Sequence, residues 1–316
     1  MHLKLKTLKK SIKIFAPATV ANLSCGFDVL GCCLQGVGDE MLIRLSDEPG
    51  VRITKIHGAD LPLATNKNVA GVTVVDMLKA LNDTTTGVEI EIFKKIKAGS
   101  GIGSSAASSA GAVWAVNELL NRPFTNTELV KFAMEGERLA SGNAHADNVA
   151  PALLGGFTLV RSYEPLDVLK LHTPDDLYMT VIHPQIEVKT ADSRKVVKPN
   201  VSLKNAITQW GNLGGFVTGL YTNDYNLIGR SLQDVIIEPM RSILIPEFEK
   251  VKSTALENGA LGAGISGSGP SIFALCKGKQ TADNVAKAIN KVYESTGITY
   301  DIHVSAINSE GISIIN

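Results

Sequence analysis

AGSGIGSSAASSAGAVWAV, residues 98–116, runs a glycine-rich loop straight into a strong helix former. Gly99, Gly101 and Gly103 alternate with other residues, and Ser104, Ser105 and an alanine-rich run follow. Alanine has the highest helix propensity, and serine caps a first turn well. Ala107, Ala110, Val113, Trp114 and Leu120 recur at helical spacing and predict one buried stripe. A helix is therefore expected from about Ser104 to Leu120, capped by Ser104 or Ser105. The first N–H groups of a helix lack intrahelical partners, and its dipole is positive at that end. Glycines just ahead let backbone close around a ligand, so the stretch reads as an anion site, most often a phosphate site. It is neither a Walker loop, which needs a Lys absent here, nor a dinucleotide fingerprint, whose third glycine comes one residue later. A plain Gly/Ser linker is the blander alternative, but linkers rarely run unbroken into a capped helix.

The rest of the chain narrows the class. Its 316 residues, 44% hydrophobic, suffice for two domains with their own cores. Thirty-one basic and 31 acidic residues balance, which argues against general polyanion affinity. Aromatics at 5% are few for a nucleic-acid stacking platform. Cys25, Cys32, Cys33 and Cys276 form no C-x-x-C pair and have no His at zinc-ligand spacing. Buried free thiols in a reducing compartment are expected. The start, MHLKLKTLKKSIK, is basic without an apolar h-region, so neither a signal peptide nor a membrane span is expected. The expected location is cytoplasmic.

The periodicities read as α+β. Strands are expected at Ile12 to Phe15, Met41 to Leu45, Gly87 to Phe93 and directly after Gly155-Gly156. Further strands are expected at Tyr178 to Ile182, Ser271 to Cys276 and Asp301 to Ala306. Helices are expected at Asn68 to Leu81, Val201 to Tyr221, Glu247 to Glu257 and Ala282 to Glu294. TNTE, residues 125–128, is a capping box opening a helix that carries Glu135 and Glu137. The polar stretch from Asp167 to Asp176, with Pro165 and Pro174 near its ends, is the expected seam, giving domains at 1–165 and 166–316.

Three more clusters carry chemistry. FAPATVANLSCGFDVLG, residues 15–31, places Asn22 and Asp28 in an apolar, turn-rich segment. Both residues favour turns in their own right. In ERLASGNAHADN, residues 137–148, a helix ends in Ser-Gly and His145, Asp147 and Asn148 follow at once, a density of polar groups that favours a site. GAGISGSGPS, residues 262–271, has four glycines in eight residues ahead of a strand and again brings backbone close to something.

Together these stretches resemble the GHMP kinases, small-molecule kinases that share three motifs. PATVANL (17–23), GSGIGSSA (99–106) and GAGISGSGP (262–270) stand in the order of those motifs. Within the superfamily the chain is similar to the homoserine kinases, on ANLSCGFDVLG (21–31), SGNAHADNVAP (141–151) and IEPMR (237–241). The resemblance covers nearly the whole chain. It implies an N-terminal α+β domain with a left-handed β-α-β unit and a C-terminal ferredoxin-like α/β sandwich, with the active site between them. It also implies transfer of phosphate from Mg²⁺-ATP to the hydroxyl of homoserine, in threonine biosynthesis, and a homodimer.

The resemblance carries roles residue by residue. Gly99, Ser100, Gly101, Ile102, Gly103, Ser104 and Ser105 wrap the ATP phosphates. Ser105 and Glu137 match the Mg²⁺ ligands, hard oxygen donors as Mg²⁺ prefers. Asn68 and Lys94 match positions near the nucleoside, although Lys94 also reads as plain surface charge. Arg194 and Arg241 match the pair that holds the substrate carboxylate, a task suited to the guanidinium fork. Asp28 matches the partner of the ammonium, and Asn22, His145 and Asp147 match further substrate contacts. Asn148 matches the residue that hydrogen-bonds the reacting hydroxyl. Mevalonate and galactose relatives place an Asp base at that hydroxyl; the homoserine pattern has no clear base, and Asp147 is the one candidate. Lys97 stands where the family has Pro, which loosens the loop and adds a cation near the phosphates. The rival expectations are a GHMP kinase for mevalonate or a related isoprenoid precursor, or a non-catalytic ligand-binding member. Asp28 disfavours mevalonate, which has no amine; Ser105 and Glu137 disfavour loss of catalysis.

Overall fold

The computed structural model describes residues 10–186, 188, 193 and 195–316. The chain opens with a long antiparallel pair, β1 (Ser11–Ala21) and β2 (Leu30–Ser46). The pair runs in register from Ser11↔Arg44 to Ala21↔Gly31, with a bulge between Pro17 and Thr19. Both strands extend well past the expected cores at Ile12 to Phe15 and Met41 to Leu45. Pro17 and the glycines at 31, 36 and 38 break the alternation that marks a strand. The bulge opposite Gly38 accommodates the proline, which cannot donate to a ladder.

β3 (Gly50–His57), α1 (Val69–Ala80) and β4 (Gly87–Phe93) form a β-α-β unit whose strands are parallel, from Gly50↔Gly87 to His57↔Phe93. The larger sheet runs β11 (Ser313–Ile314), β1, β2, β4, β3, and β5 (Phe157–Tyr163) pairs with the first residues of β2 and with β6 (Leu166–Leu171). The position 165/166 falls in the turn of that hairpin, where Tyr163 pairs with Leu166. The polar stretch after Asp167 is therefore largely a strand, and the chain leaves this sheet only after Leu171. Its outward residues, such as the exposed Leu169, hide its strand character.

The helix of the opening stretch is α2 (Ser104–Leu119). It lies against β1 and β2 and between α1, α3 (Asn126–Ser141) and α4 (Val149–Leu154). The expected single stripe is too narrow: Ala106 through Asn117 are all buried. Small side chains permit this, because alanine, serine and glycine let neighbouring elements approach on every side. The start of α3 carries the expected reciprocal capping box between Thr125 and Glu128.

The second sheet has the order β10-β7-β9-β8, all antiparallel, from β7 (Leu177–Pro184), β8 (Gly262–Ile265), β9 (Ile272–Lys277) and β10 (Tyr300–Ala306). The helices α5 (Leu203–Thr222), α6 (Tyr225–Ser231), α7 (Glu238–Arg241) and α8 (Phe248–Glu257) lie between β7 and β8, and α9 (Lys279–Glu294) lies between β9 and β10. That is the ferredoxin-like β-α-β-β-α-β arrangement. The strand period of two splits the core. Phe273 and Leu275 of β9 join the main core, whereas Ile272, Ala274 and Cys276 face a second core with α8 and α9. The short β11 (Ser313–Ile314) returns to pair with β1, tying the two sheets through Ile14↔Ile314. All four cysteines are free and buried, and burial raises the Cys25, Cys32 and Cys276 thiols to about 12. Among the described residues no helix is long and apolar enough to cross a membrane.

Candidate active site

A cleft of ≈ 480 Å³ opens at the start of α2, and the three sequence clusters meet there. Gly99, Gly101 and Gly103 have φ of 74°, 81° and 71°, a region that L side chains rarely adopt. They let the loop fold back so that it enters α2 without a side-chain cap; Gly103 is the N-cap residue. Ser104 and Ser105 do not cap this end. Ser104 instead donates its hydroxyl to Ile96 O at 3.1 Å, and Ser105 lines the cleft.

The late glycine loop packs directly on the early one. Ser266 Oγ donates to Gly101 O at 2.7 Å and Ser271 Oγ to Ser100 O at 2.6 Å. A Cβ on Gly101 would lie 2.7 Å from Gly269 O and 2.8 Å from Ser266 O. The close approach, as much as the positive φ, requires glycine here. Gly267 continues the join by donating its N–H to Ala21 O at 3.2 Å and accepting from Asn22 Nδ2 at 2.8 Å.

The expected metal pair is brought together. Glu137 of α3 is 9% exposed and lines the cleft with Ser105. Burial pushes its carboxyl above the ordinary carboxylate value, and a hydrogen bond with Ser105 partly offsets this. Among the described residues Glu137 Oε1 has no hydrogen-bond partner. A buried carboxylate oxygen left unpaired is costly, and a cation is the partner that would satisfy it.

The residues expected to bind the substrate come from distant segments. Asn22, Asp28, His145, Asp147, Asn148 and Arg241 all line the cleft. Asn22 accepts from Asp28 N at 2.9 Å, and His145 Nε2 stands 3.7 Å from Asp28 Oδ2. Arg241 is buried, donates Nε to Ser193 O at 2.9 Å, and lies 4.9 Å from the centre of the Phe27 ring. Its Nη1 also donates to Gly267 O at 3.4 Å, and the two carbonyls orient the guanidinium. Arg194 lies outside the described residues.

Several expected ligands serve the scaffold. Asn68 caps α1, accepting from Ala70 N at 3.0 Å and donating to Pro62 O at 2.8 Å; its neighbours Lys67 and Val69 line the cleft in its place. Ile102 puts its side chain in the core, and its carbonyl accepts from Thr19 N at 3.1 Å. Lys94 is no surface charge: it lines the cleft, and it is buried and ion-paired with Asp39, donating also to Ser104 O at 2.9 Å and Ser108 Oγ at 3.2 Å. Burial lowers its pKa while Asp39 raises it. Asp39 also accepts from Lys95 N and Ile96 N, so the pair anchors the root of the glycine loop to β2. Lys97 does not line the cleft; it turns to Gln185 Oε1 at 2.8 Å. Sequence reasoning missed Thr19, which donates to Asn148 Oδ1 at 2.7 Å. The only signal for it was its place inside PATVANL.

A phosphate loop, a buried oxygen-donor pair and a polar pocket, held where an α+β domain meets a ferredoxin-like one, define a small-molecule kinase of the GHMP class. The family models agree: the GHMP kinase N-terminal domain matches residues 69–156 and the GHMP kinase C-terminal domain residues 216–295. The chain is 46% identical to the homoserine kinase of Chlorobium phaeobacteroides (strain BS1), over 97% of this chain and all of that one. It is 37% identical to that of Xanthomonas campestris pv. campestris (strain B100), over 97% of this chain and 94% of that one. The crystal structure of homoserine kinase from Cytophaga hutchinsonii superposes with a TM-score of 0.95, at 52% identity, covering 99% of this chain and 100% of that one. This chain belongs to the GHMP kinases, and among them to the homoserine kinases.

Proposed function

We propose that the chain phosphorylates the side-chain hydroxyl of L-homoserine with ATP, giving O-phospho-L-homoserine for threonine biosynthesis. The observation that carries this reading is the convergence, in one cleft, of a phosphate-type loop with Asp28 and Arg241. Those two groups suit the ammonium and carboxylate of an amino acid, whereas mevalonate has no amine for Asp28.

In this reading the phosphates of ATP rest on the backbone from Gly99 to Ser105 and on the start of α2, where unpaired N–H groups and the helix dipole favour anions. The nucleoside end lies along Leu61, Lys67 and Val69. Ser105 and Glu137 fit Mg²⁺: both are oxygen donors, and the orphaned Glu137 Oε1 is suited to a cation. When bound, the ion neutralises charge on the phosphates. Arg241, with Arg194, takes the carboxylate of homoserine, and Asp28 takes its ammonium. Asn22, His145 and Asp147 complete the pocket. Thr19 holds Asn148 Oδ1, so the Asn148 amide N–H₂ is the group left to orient the attacking oxygen.

Phosphoryl transfer depends on positioning and charge stabilisation more than on covalent chemistry by the protein. The hydroxyl oxygen bonds to the γ-phosphorus as the bond to the β–γ bridging oxygen breaks. The hydroxyl proton passes to the transferred phosphoryl group, and no side chain need take it. Asp147 is a binding group here.

Homodimeric assembly and a cytoplasmic location belong to the same reading. Leu203, Ile207 and Trp210 of α5 are more than half exposed, an apolar face that a second copy would cover. The four buried free thiols suit a reducing compartment. The direct test measures ADP release from Mg²⁺-ATP with homoserine, with mevalonate and without acceptor, together with ³¹P NMR of the product. Homoserine-dependent release with a phosphomonoester signal is expected; release with mevalonate alone would overturn the reading.

A further inference from the structure

Tyr163 ends β5, outside the sequence motifs described above. Its hydroxyl joins the two loops that carry most of the amino-acid pocket. It donates to Asp28 O at 2.9 Å and accepts from Ala146 N at 3.2 Å. The first loop needs such a restraint. Asn22, Leu23, Ser24 and Asp28 have φ of 73°, 44°, 56° and 59°, and non-glycine residues hold such angles only where surrounding contacts impose them. The second loop carries His145 and Asp147 on either side of Ala146. Across the gap, His145 Nε2 and Asp28 Oδ2 stand 3.7 Å apart, so their spacing depends on how the two backbones are held.

Tyr163 is itself firmly placed. β5 pairs with β2 from Leu30↔Leu159 to Cys32↔Phe157, so the strand that bears the tyrosine is laced to the strand that follows the Asp28 loop. The phenol ring is stiff, with two rotatable angles, and it sets both backbone points from one atom.

We infer that Tyr163 is a positioning residue for the amino-acid substrate, fixing the distance between Asp28 and the His145–Asp147 segment. The inference rests on the reading that Asp28 receives the substrate ammonium. Removing the hydroxyl leaves Asp28 O and Ala146 N–H without it and lets the two loops drift apart. The glycine loop and Glu137 lie outside this linkage.

The test is a double-mutant cycle in the full-length enzyme with Tyr163→Phe and Asp28→Asn, reading KM and kcat for homoserine and for ATP, with thermal melting alongside. Two hydrogen bonds of ordinary strength predict that Tyr163→Phe raises KM for homoserine roughly tenfold. KM for ATP should stay within about twofold and the melting temperature should change little. In the Asp28→Asn background the same substitution should have well under half that effect, because the group it positions has gone. Tyr163→Phe with an unchanged homoserine KM overturns the inference. So does a rise in both KM values with a fall in melting temperature, which would make the tyrosine a general support, and so do additive effects in the cycle. If Asp28→Asn alone leaves homoserine KM unchanged, the ammonium assignment fails, a result distinct from failure of the Tyr163 role.

Discussion

Thr19 of β1 and Asn148 at the start of α4 are joined side chain to side chain, hydroxyl to Oδ1, at 2.7 Å across 129 positions of sequence. The bond fixes which end of the Asn148 amide stays free for the acceptor that the proposed function places there. Thr19→Val keeps the shape of the buried side chain and removes the donor. The freed amide can then turn. A positioning bond to the attacking oxygen matters most in the transition state. Thr19→Val should lower kcat by about 10- to 100-fold, the effect of roughly 1.4–2.7 kcal/mol, with a smaller change in homoserine KM. Thr19→Ser should keep most of the rate, and steady-state kinetics on the two variants checks this.

Glu137 places the pH dependence. Its carboxyl titrates above the ordinary value because it is buried. A group whose pKa is raised on folding contributes stability that is fully present below its unfolded pKa of about 4.5, lost as pH rises through the folded value. The charged form that the proposed metal would need therefore exists at a cost to the apo fold. Glu137→Gln should raise the melting temperature of the apo protein at neutral pH and flatten its pH dependence above 4.5. It should also lower turnover at limiting Mg²⁺ by about 10²-fold or more. Ser105→Ala should raise the Mg²⁺ requirement less. Wild-type activity of Glu137→Gln at limiting Mg²⁺ would remove the metal role.

Arg241 and Arg194 should share one signature. Loss of a charge-assisted pair removes roughly 1.5–3 kcal/mol, about 10- to 100-fold in binding. Arg241→Leu and Arg194→Leu should raise KM for homoserine by that range and leave KM for ATP nearly unchanged. Because Arg241 is buried against Phe27, Arg241→Lys should recover little, since lysine lacks the planar fork. Equal weakening of ATP would move these arginines to the phosphates.

Asp147 separates base from binder. A general base contributes about 10²–10⁴-fold. Asp147→Asn should keep measurable turnover and chiefly weaken homoserine binding, with the acidic limb of the kcat–pH profile unchanged. Loss of turnover at saturating homoserine, with both substrates still bound in a calorimetric titration, would make Asp147 the base.

Gly99 and Gly101 differ although both have positive φ. Among the described residues a Cβ at Gly99 meets nothing within 4 Å, while one at Gly101 runs into Gly269 O and Ser266 O. Gly99→Ala should cost only the strain of the left-handed backbone, about 1–2 kcal/mol. Gly101→Ala should in addition push the two glycine loops apart, raising KM for ATP roughly tenfold beyond Gly99→Ala. Parallel melts and ATP titrations distinguish the two.

Much of this protein is local and therefore readable from the chain. Gly87–Phe93 alternates strictly and is a strand over those residues. The Thr125–Glu128 box needs four adjacent residues, and the helix it opens carries Glu137 to the cleft. The alanine run after Gly103 forms α2 because propensity there meets no opposing signal. The loop, the carboxylate and the polar cluster could likewise be named, since each lies in a short stretch whose residue types already limit its chemistry.

What the chain alone could not decide is whether a polar group faces the ligand or the scaffold. Asn68 sits beside the cleft with its side chain committed to a helix cap, and Lys94 lines the cleft with its ammonium paired to Asp39. Lys97 reaches Gln185, and β6 occupies a stretch that reads as a polar seam. For Lys94 and Lys97 the partner lies far away in sequence, and periodicity carries no information about such partners. Thr19–Asn148, Tyr163–Asp28 and the interlock of Gly101 with Ser266 are of the same kind. Sequence determined which chemistries were present, because those follow from residue types and short-range propensity. Only the tertiary structure decided which groups meet, because buried donors and acceptors must pair with whatever the packed sheets bring within about 3 Å.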